Sequence, residues 1–206
     1  MAISTVEIDT AQGPARVVLE RAKKPSFLLV MTHGAGGGTE TVDVLAASAA
    51  AAGLGASVAR VLQPYRVRGA SAPGNAVKQD AAWLEIIAAL RTATKGVPLV
   101  QGGRSNGARV ACRTAAAVEA AAVIALAFPL HPPGRPELSR AGELRETGTE
   151  VLVINGERDP FGIPDEADAS RVVVLPGETH GLSRRPQAVQ TAVADWLGAL
   201  PALGAG

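Results

Sequence analysis

The chain has 206 residues, 47% of them apolar and 19% charged, with a net charge of +1. That is the balance of one globular core, too apolar for a disordered chain, and residues 1–206 are expected to form one domain. The near-neutral charge gives no broad basic face for nucleic acid. Cys112 is the only cysteine, so no internal disulfide is possible and a reducing, cytoplasmic compartment is expected. Residues 1–20 lack the continuous apolar core of a signal peptide, and no apolar stretch reaches the length of a membrane span.

In chain order, ARVVL (15–19) and the more apolar SFLLVM (26–31) read as strands. The second runs into Thr32-His33-Gly34-Ala35-Gly36-Gly37-Gly38. This run lacks the last glycine of a dinucleotide fingerprint and the Gly-Lys-Ser/Thr of a P-loop. It reads either as a plain flexible turn or as a loop whose N–H groups face a reacting carbonyl. A helix is expected over about 40–52, stopped by Gly53 and Gly55, then a strand over 56–62 ending at Gln63-Pro64-Tyr65. Residues 66–75 read as loop. From 76 to 93 the helical spacing of Val77, Ala81, Leu84, Ile87 and Ala88 predicts an apolar face.

A short apolar run, Pro98-Leu99-Val100, then leads into Gly103-Arg104-Ser105-Asn106-Gly107 and an alanine-rich helix. In a G-x-S-x-G between strand and helix, the serine occupies a strained turn, and the helix N-terminus points its N–H groups at the same spot. Alone, Ser105 could equally be a helix N-cap. AVIALAF (122–128), EVLVI (150–154) and RVVVL (171–175) are further strands, and a closing helix over about 186–199 carries Val189, Val193, Trp196 and Leu197 on one side. The segment 129–149 opens with three prolines, Pro129, Pro132 and Pro133, and its mixed charges leave room for one short helix and not for a lid with a broad apolar underside. Strands alternating with helices predict a mostly parallel sheet covered on both faces.

Four candidate groups follow strand ends: His33-Gly34, Ser105, Asp159 and His180. That edge of a parallel sheet is where ligands bind. The order Ser, Asp, His is the order of α/β-hydrolases. A serine hydroxyl needs a base, a histidine can serve near neutral pH, and an aspartate can hold its tautomer. The N–H groups of Ala35 and Asn106 are the expected oxyanion donors. His33, Gly34, Tyr65 and His131 are expected to line the substrate site. Glu157, Asp165 and Glu178 are rival acids; Asp159 is preferred because Gly156 and Pro160 shape its turn. The three histidines show no metal-binding spacing, and no cofactor is expected. Cys112 reads as packing, and Arg109 with Arg113 as a polar helix face.

The pieces THGAGG (32–37), GGRSNGAR (102–109), FPLHPPG (128–134), NGERDPFG (155–162) and the late His180 give the chain its resemblance to known families. The sequence resembles small α/β-hydrolases of the dienelactone-hydrolase-like kind. It is similar above all to bacterial relatives of the hydrolase-like domain in a subunit of the nonspecific-lethal acetyltransferase complex. The resemblance implies an α/β-hydrolase fold with Ser105, Asp159 and His180 as triad, and the short 129–149 segment predicts that it has no cap domain. Asn106 and Ala108 depart from it, standing where Met and Gly are expected. The function expected is that of a serine hydrolase, a carboxylesterase acting on a small or short-acyl ester. The alternatives are a dienelactone, thioester or peptide hydrolase with the same triad, or a hydrolase-shaped binding module with little turnover. A small-molecule substrate is the expected partner, with no nucleic acid and no membrane; oligomeric state stays open.

Overall fold

The computed structural model describes residues 2–203. Eight strands form one sheet: β1 (Ala2–Ile8), β2 (Ala15–Arg21), β3 (Leu28–Thr32), β4 (Ser57–Leu62), β5 (Leu99–Arg104), β6 (Ala122–Leu126), β7 (Glu150–Gly156) and β8 (Arg171–Leu175). Their spatial order is β1-β2-β4-β3-β5-β6-β7-β8. Strands β1, β2 and β4 pair antiparallel, and from β4 through β8 every pairing is parallel. The central strands β3 and β6 are buried at every residue, as runs covered on both faces must be.

Among the described residues six α-helices accompany them, five between strands and the last after β8: α1 (Val42–Gly53), α2 (Pro64–Val67), α3 (Ala76–Thr92), α4 (Asn106–Thr114), α5 (Ala141–Arg145) and α6 (Pro186–Gly198). Alternate strand residues feed two cores, one per face. Val44, Ala47 and Ala51 of α1 pack with Val189, Val193 and Trp196 of α6 over Leu29, Ile124 and Leu152. On the other face Trp83, Ile86 and Ile87 of α3 and Val110 and Ala111 of α4 cover Val30, Ala59 and Val123. Gln101 of β5 is wholly buried in that second layer. Its amide accepts from Trp83 Nε1 at 2.7 Å and donates to the Ala111 carbonyl at 2.8 Å. A buried amide so satisfied fixes the register of α3 and α4 on the strand.

Three local readings need correction. Strand β1 was not anticipated: its residues are exposed or only half-covered, so it carries no buried apolar pattern to find. Helix α2 occupies the start of the expected loop, with Pro64 preset for its first turn. Helix α3 has the expected span, but its buried face is set by Ala82, Trp83, Ile86, Ile87 and Leu90. Val77, Ala81 and Ala88 face solvent. In the 129–149 segment only α5 forms.

Candidate active site

The parallel strands end level with one another. Thr32 of β3 is in register with Val61 and Gly103, Leu126 with Ile154, and Gly156 with Leu175. The loops that leave this edge therefore meet above β5. Ser105 is the residue between β5 and α4, at φ 53° and ψ −114°, a conformation strained for a residue with a Cβ. The turn closes this tightly because its glycines admit backbone where a side chain would stand. A Cβ on Gly107 would lie 2.6 Å from the His33 carbonyl, and one on Gly103 2.6 Å from the Gly107 carbonyl carbon. Ala108 packs wholly buried against the sheet.

Ser105, His180 and Asp159 form one hydrogen-bonded line. His180 Nε2 lies 2.9 Å from Ser105 Oγ. Its Nδ1 lies 2.9 Å from Asp159 Oδ2 and 3.1 Å from Oδ1. An ionised carboxylate only accepts, so Nδ1 carries the proton and Nε2 is left free to take one from the hydroxyl. The Asp159 side chain is fully buried. It also accepts from the Phe161 N–H at 3.0 Å and the Asn155 amide at 3.4 Å. The Phe161 ring lies against the imidazole with centroids 4.3 Å apart.

Two loops far apart in sequence must touch for this line to form. A Cβ on Gly156 would lie 2.5 Å from the Glu178 carbonyl, and that carbonyl accepts from the Arg158 N–H at 2.8 Å. The Glu178 carboxylate is buried and accepts from the N–H groups of Arg184 and Arg185 at 2.7 and 2.6 Å. It therefore shapes the loop that carries His180. Of the other rival acids, Glu157 accepts from the Gly177 N–H and Asp165 caps a short 3₁₀ turn. None of the three hydrogen-bonds His180.

The glycine run forms a tight turn. The Gly37 N–H donates to the Gly34 carbonyl at 3.0 Å, and Gly36 has φ 69°, the geometry of a type II turn with Ala35 at its first corner. Among the described residues the Ala35 N–H has no acceptor. Gly34 abuts the serine: a Cβ there would stand 3.1 Å from Ser105 Cβ. The Asn106 N–H opens α4 and has no acceptor within the helix. Its side-chain amide donates to Gln79 Oε1 of α3 at 2.7 Å.

His33 is corrected from substrate contact to brace. It is fully buried, its Nδ1 bonds the Gly34 carbonyl at 2.8 Å, and its Nε2 accepts from the Gln63 N–H at 3.0 Å. Burial pushes its pKa below the ordinary value and keeps it neutral. His131 is half-buried against Gly162 and Phe161 of the Asp159 loop. Tyr65 is buried edge-on to His33, centroids 5.7 Å apart; its hydroxyl has no partner, and burial pushes its pKa up to about 12. Cys112 is buried and its thiol is likewise pushed up to about 12, so it packs and does not react. Arg109 and Arg113 are ion-paired to Glu143 of α5 and Asp80 of α3, which ties three helices together. Among the described residues no three potential ligand side chains cluster to hold a metal.

Sequence reading passed over Arg104, the variable residue of the motif. Its Nη2 donates to the His180 carbonyl at 2.8 Å and its Nε stands 3.0 Å from Asp43 Oδ2. Asp43 is fully buried at the start of α1. Burial raises its pKa, and the Arg104 charge opposes that. Asn155 was also missed: its amide grips the Phe128 carbonyl, the Gly162 carbonyl and Asp159 together. The signal was a buried-type amide at a strand end with no turn to make.

An eight-stranded sheet of this order, with a strained serine above its fifth strand, defines an α/β-hydrolase. The chain belongs to the alpha/beta hydrolase domain family, whose model matches residues 25–194. It is similar in structure to an alpha-beta serine hydrolase homologue from Coxiella burnetii, at 19% identity and a TM-score of 0.79, over 96% of this chain and 98% of that one. A serine hydrolase without a lid from Xanthomonas campestris matches at 23% identity and 0.73, over 98% and 96%. A dienelactone hydrolase from Anabaena variabilis matches at 16% identity and 0.74, over 95% and 96%. No curated protein matches the chain.

Proposed function

We propose that the protein is a serine hydrolase, specifically a carboxylesterase of small, short-acyl esters. The observation that carries this is the position of His180, 2.9 Å from Ser105 Oγ through one nitrogen and 2.9 Å from Asp159 through the other. A fold kept only for binding has no need of that line.

Ser105 Oγ attacks the ester carbonyl as His180 Nε2 takes its proton. The carbonyl oxygen becomes negative and is met by the N–H groups of Ala35 and Asn106, already ordered before reaction. The histidine returns its proton to the leaving alkoxide, and the acyl group stays on Ser105. Water then attacks with His180 again as base, releasing the acid and restoring the serine. Asp159 holds the tautomer and stabilises the imidazolium. With only α5 between β6 and β7, no broad apolar lid covers the serine, which favours short acyl chains.

The test is labelling with a fluorophosphonate probe beside hydrolysis of p-nitrophenyl acetate. Labelling that is lost in Ser105→Ala supports the reading. A native protein that neither labels nor hydrolyses, when a control esterase does both, overturns it.

A further inference from the structure

Asn155, the next-to-last residue of β7, is a wholly buried amide. Strands β6 and β7 stay in register as far as Leu126 and Ile154. The Ala127 N–H still reaches the Ile154 carbonyl at 2.7 Å, but Ala127 has φ 48° and turns the chain out of the ladder. The Asn155 side chain continues the pairing from there. Its Oδ1 accepts the Phe128 N–H at 2.9 Å and its Nδ2 donates to the Phe128 carbonyl at 3.0 Å. A carboxamide carries a donor and an acceptor side by side, as a peptide unit does, so it can pair one residue in both directions. An ionised carboxylate or an alkyl group cannot.

That pairing fixes the plane of the amide, and the fixed plane aims Nδ2 at the loop that carries the acid. Nδ2 lies 3.1 Å from the Gly162 carbonyl and 3.4 Å from Asp159 Oδ2. An amide nitrogen has two hydrogens, and three oxygens share them, so the Asp159 contact is the long branch of a shared bond. The Gly162 contact closes the turn, whose ends are also joined by the Gly162 N–H donating to the Asp159 carbonyl at 3.2 Å. Oδ2 is the carboxylate oxygen nearer His180 Nδ1, and Oδ1 accepts from the Phe161 N–H. Asn155 thus reaches both the loop and the carboxylate, while its four hydrogen bonds go to neither Ser105 nor His180.

A carboxylate swings about its Cβ–Cγ bond unless its oxygens are held, and a hydrogen bond weakens steeply as its angle opens. We infer that Asn155 is a positioning residue for the triad: it holds the Asp159 carboxylate at the angle that keeps the His180 proton on Nδ1 and leaves Nε2 open to Ser105. This rests on the serine-hydrolase reading above. An amide that merely joined β6 to β7 would stabilise the sheet and leave the imidazole as it is.

The test compares Asn155→Leu, which removes the amide at similar volume, with Asn155→Ser, which carries the test where the leucine variant does not fold. Leu19→Ala is the control, a buried core residue on β2, which β4 and β3 separate from β5. Both Asn155 variants should lower kcat on p-nitrophenyl acetate by about 10²-fold with little change in KM, the cost of a misplaced catalytic group. Leu19→Ala should lose stability in urea and keep its kcat. Nitrogen NMR of histidine-labelled protein reads the tautomer without turnover. Neutral His180 should carry its proton on Nδ1 in the native chain and share it with Nε2 in the Asn155 variants. A kcat no lower than that of Leu19→Ala overturns the inference. So does a fall in kcat with the native tautomer kept, or a native chain already in the mixed form. Where the native chain cleaves no ester, the tautomer decides alone, which separates failure of this inference from failure of the esterase reading.

Discussion

Arg104 donates from Nη2 to the main-chain carbonyl of His180 at 2.8 Å, so the residue before the serine holds the backbone of the proposed base. The guanidinium reaches buried Asp43 from its Nε at the same time. An ammonium is a single point charge and cannot span both partners. Arg104→Lys and Arg104→Gln should therefore each lower kcat by about 10²-fold with little change in KM, the cost of a misplaced catalytic group. Urea unfolding alongside the kinetics checks this. A variant that is destabilised but keeps its kcat when folded shows Arg104 to be structural only.

Ser105→Ala should abolish fluorophosphonate labelling. His180→Ala should lower kcat about as far, because groups that act as a unit fail together. Asp159→Asn should cost on the order of 10⁴, through the wrong imidazole tautomer. Glu178→Gln is the control for the acid. It weakens a loop that depends on a buried carboxylate, and so should lower the melting temperature more than the rate of the folded enzyme.

The turn at Gly34–Gly37 gives a clean test of the oxyanion donor. Proline suits the first corner of a type II turn, so Ala35→Pro should fold while removing the N–H. The expected loss in kcat is about 10²–10³, the effect of one such donor. An unchanged kcat in a variant with native circular dichroism would remove Ala35 from the mechanism.

Acyl length is checked with p-nitrophenyl esters from acetate to dodecanoate, kept below micelle formation. Without an apolar lid, each added methylene finds little surface to bury against, at about 25 cal/mol per Å². kcat/KM should fall beyond the shortest chains. A steady climb to dodecanoate would reveal a deep apolar site.

His33 makes stability depend on pH. Burial holds its folded pKa below the ordinary 6.5. Between those two values the unfolded chain binds more protons, so stability rises with pH. The contribution is complete above 6.5 and is lost as pH falls through 6.5 toward the lowered folded value. The slope is bounded at about 1.4 kcal/mol per pH unit. Asp43, whose pKa burial raises, works in the opposite sense, but it is common to wild type and His33→Asn and cancels in their difference. Urea unfolding at pH 7 and 5.5 should show a wild-type loss that His33→Asn lacks; parallel losses would show that His33 titrates as it does in the unfolded chain.

Most parallel strands were legible because burial on both faces writes itself as a short unbroken apolar run, as in β3 and β6. Strand β1 has no such run because its side chains stay in water. Helix α3 shows the limit of spacing alone. Its alanines occur on both faces, and only the fit of Trp83 to Gln101 chooses between two apolar stripes about one residue apart. At the site, Ser105, Asp159 and His180 could be found because a strand end followed by a reactive side chain is a local pattern. Arg104, Asp43, Asn155 and Glu178 could not. Arg104 and Asn155 act on backbone from distant segments, Asp43 meets the Arg104 side chain, and Glu178 binds the backbone of its own loop; no spacing in the sequence records which of these partners a side chain will meet. His33 was misjudged for the same reason: a histidine beside a glycine run looks exposed until Gln63 closes over it.

The packing of α1 on α6 sets when in the life of the chain this site comes into being. Val44 and Ala47 lie near the start of the sequence and Val193 and Trp196 near its end, yet they share one core. At about 5–20 residues per second, a ribosome needs roughly 10–40 s to make 206 residues. Until α6 is made, the flank of α1 and the part of β7 that it packs on stand open. A nascent or truncated chain lacking that helix is then not a weaker hydrolase but a sheet with part of one core exposed, suited to chaperones and proteases. Activity would begin only once His180 and α6 have both been made, and its onset would mark closure of the core they share with α1.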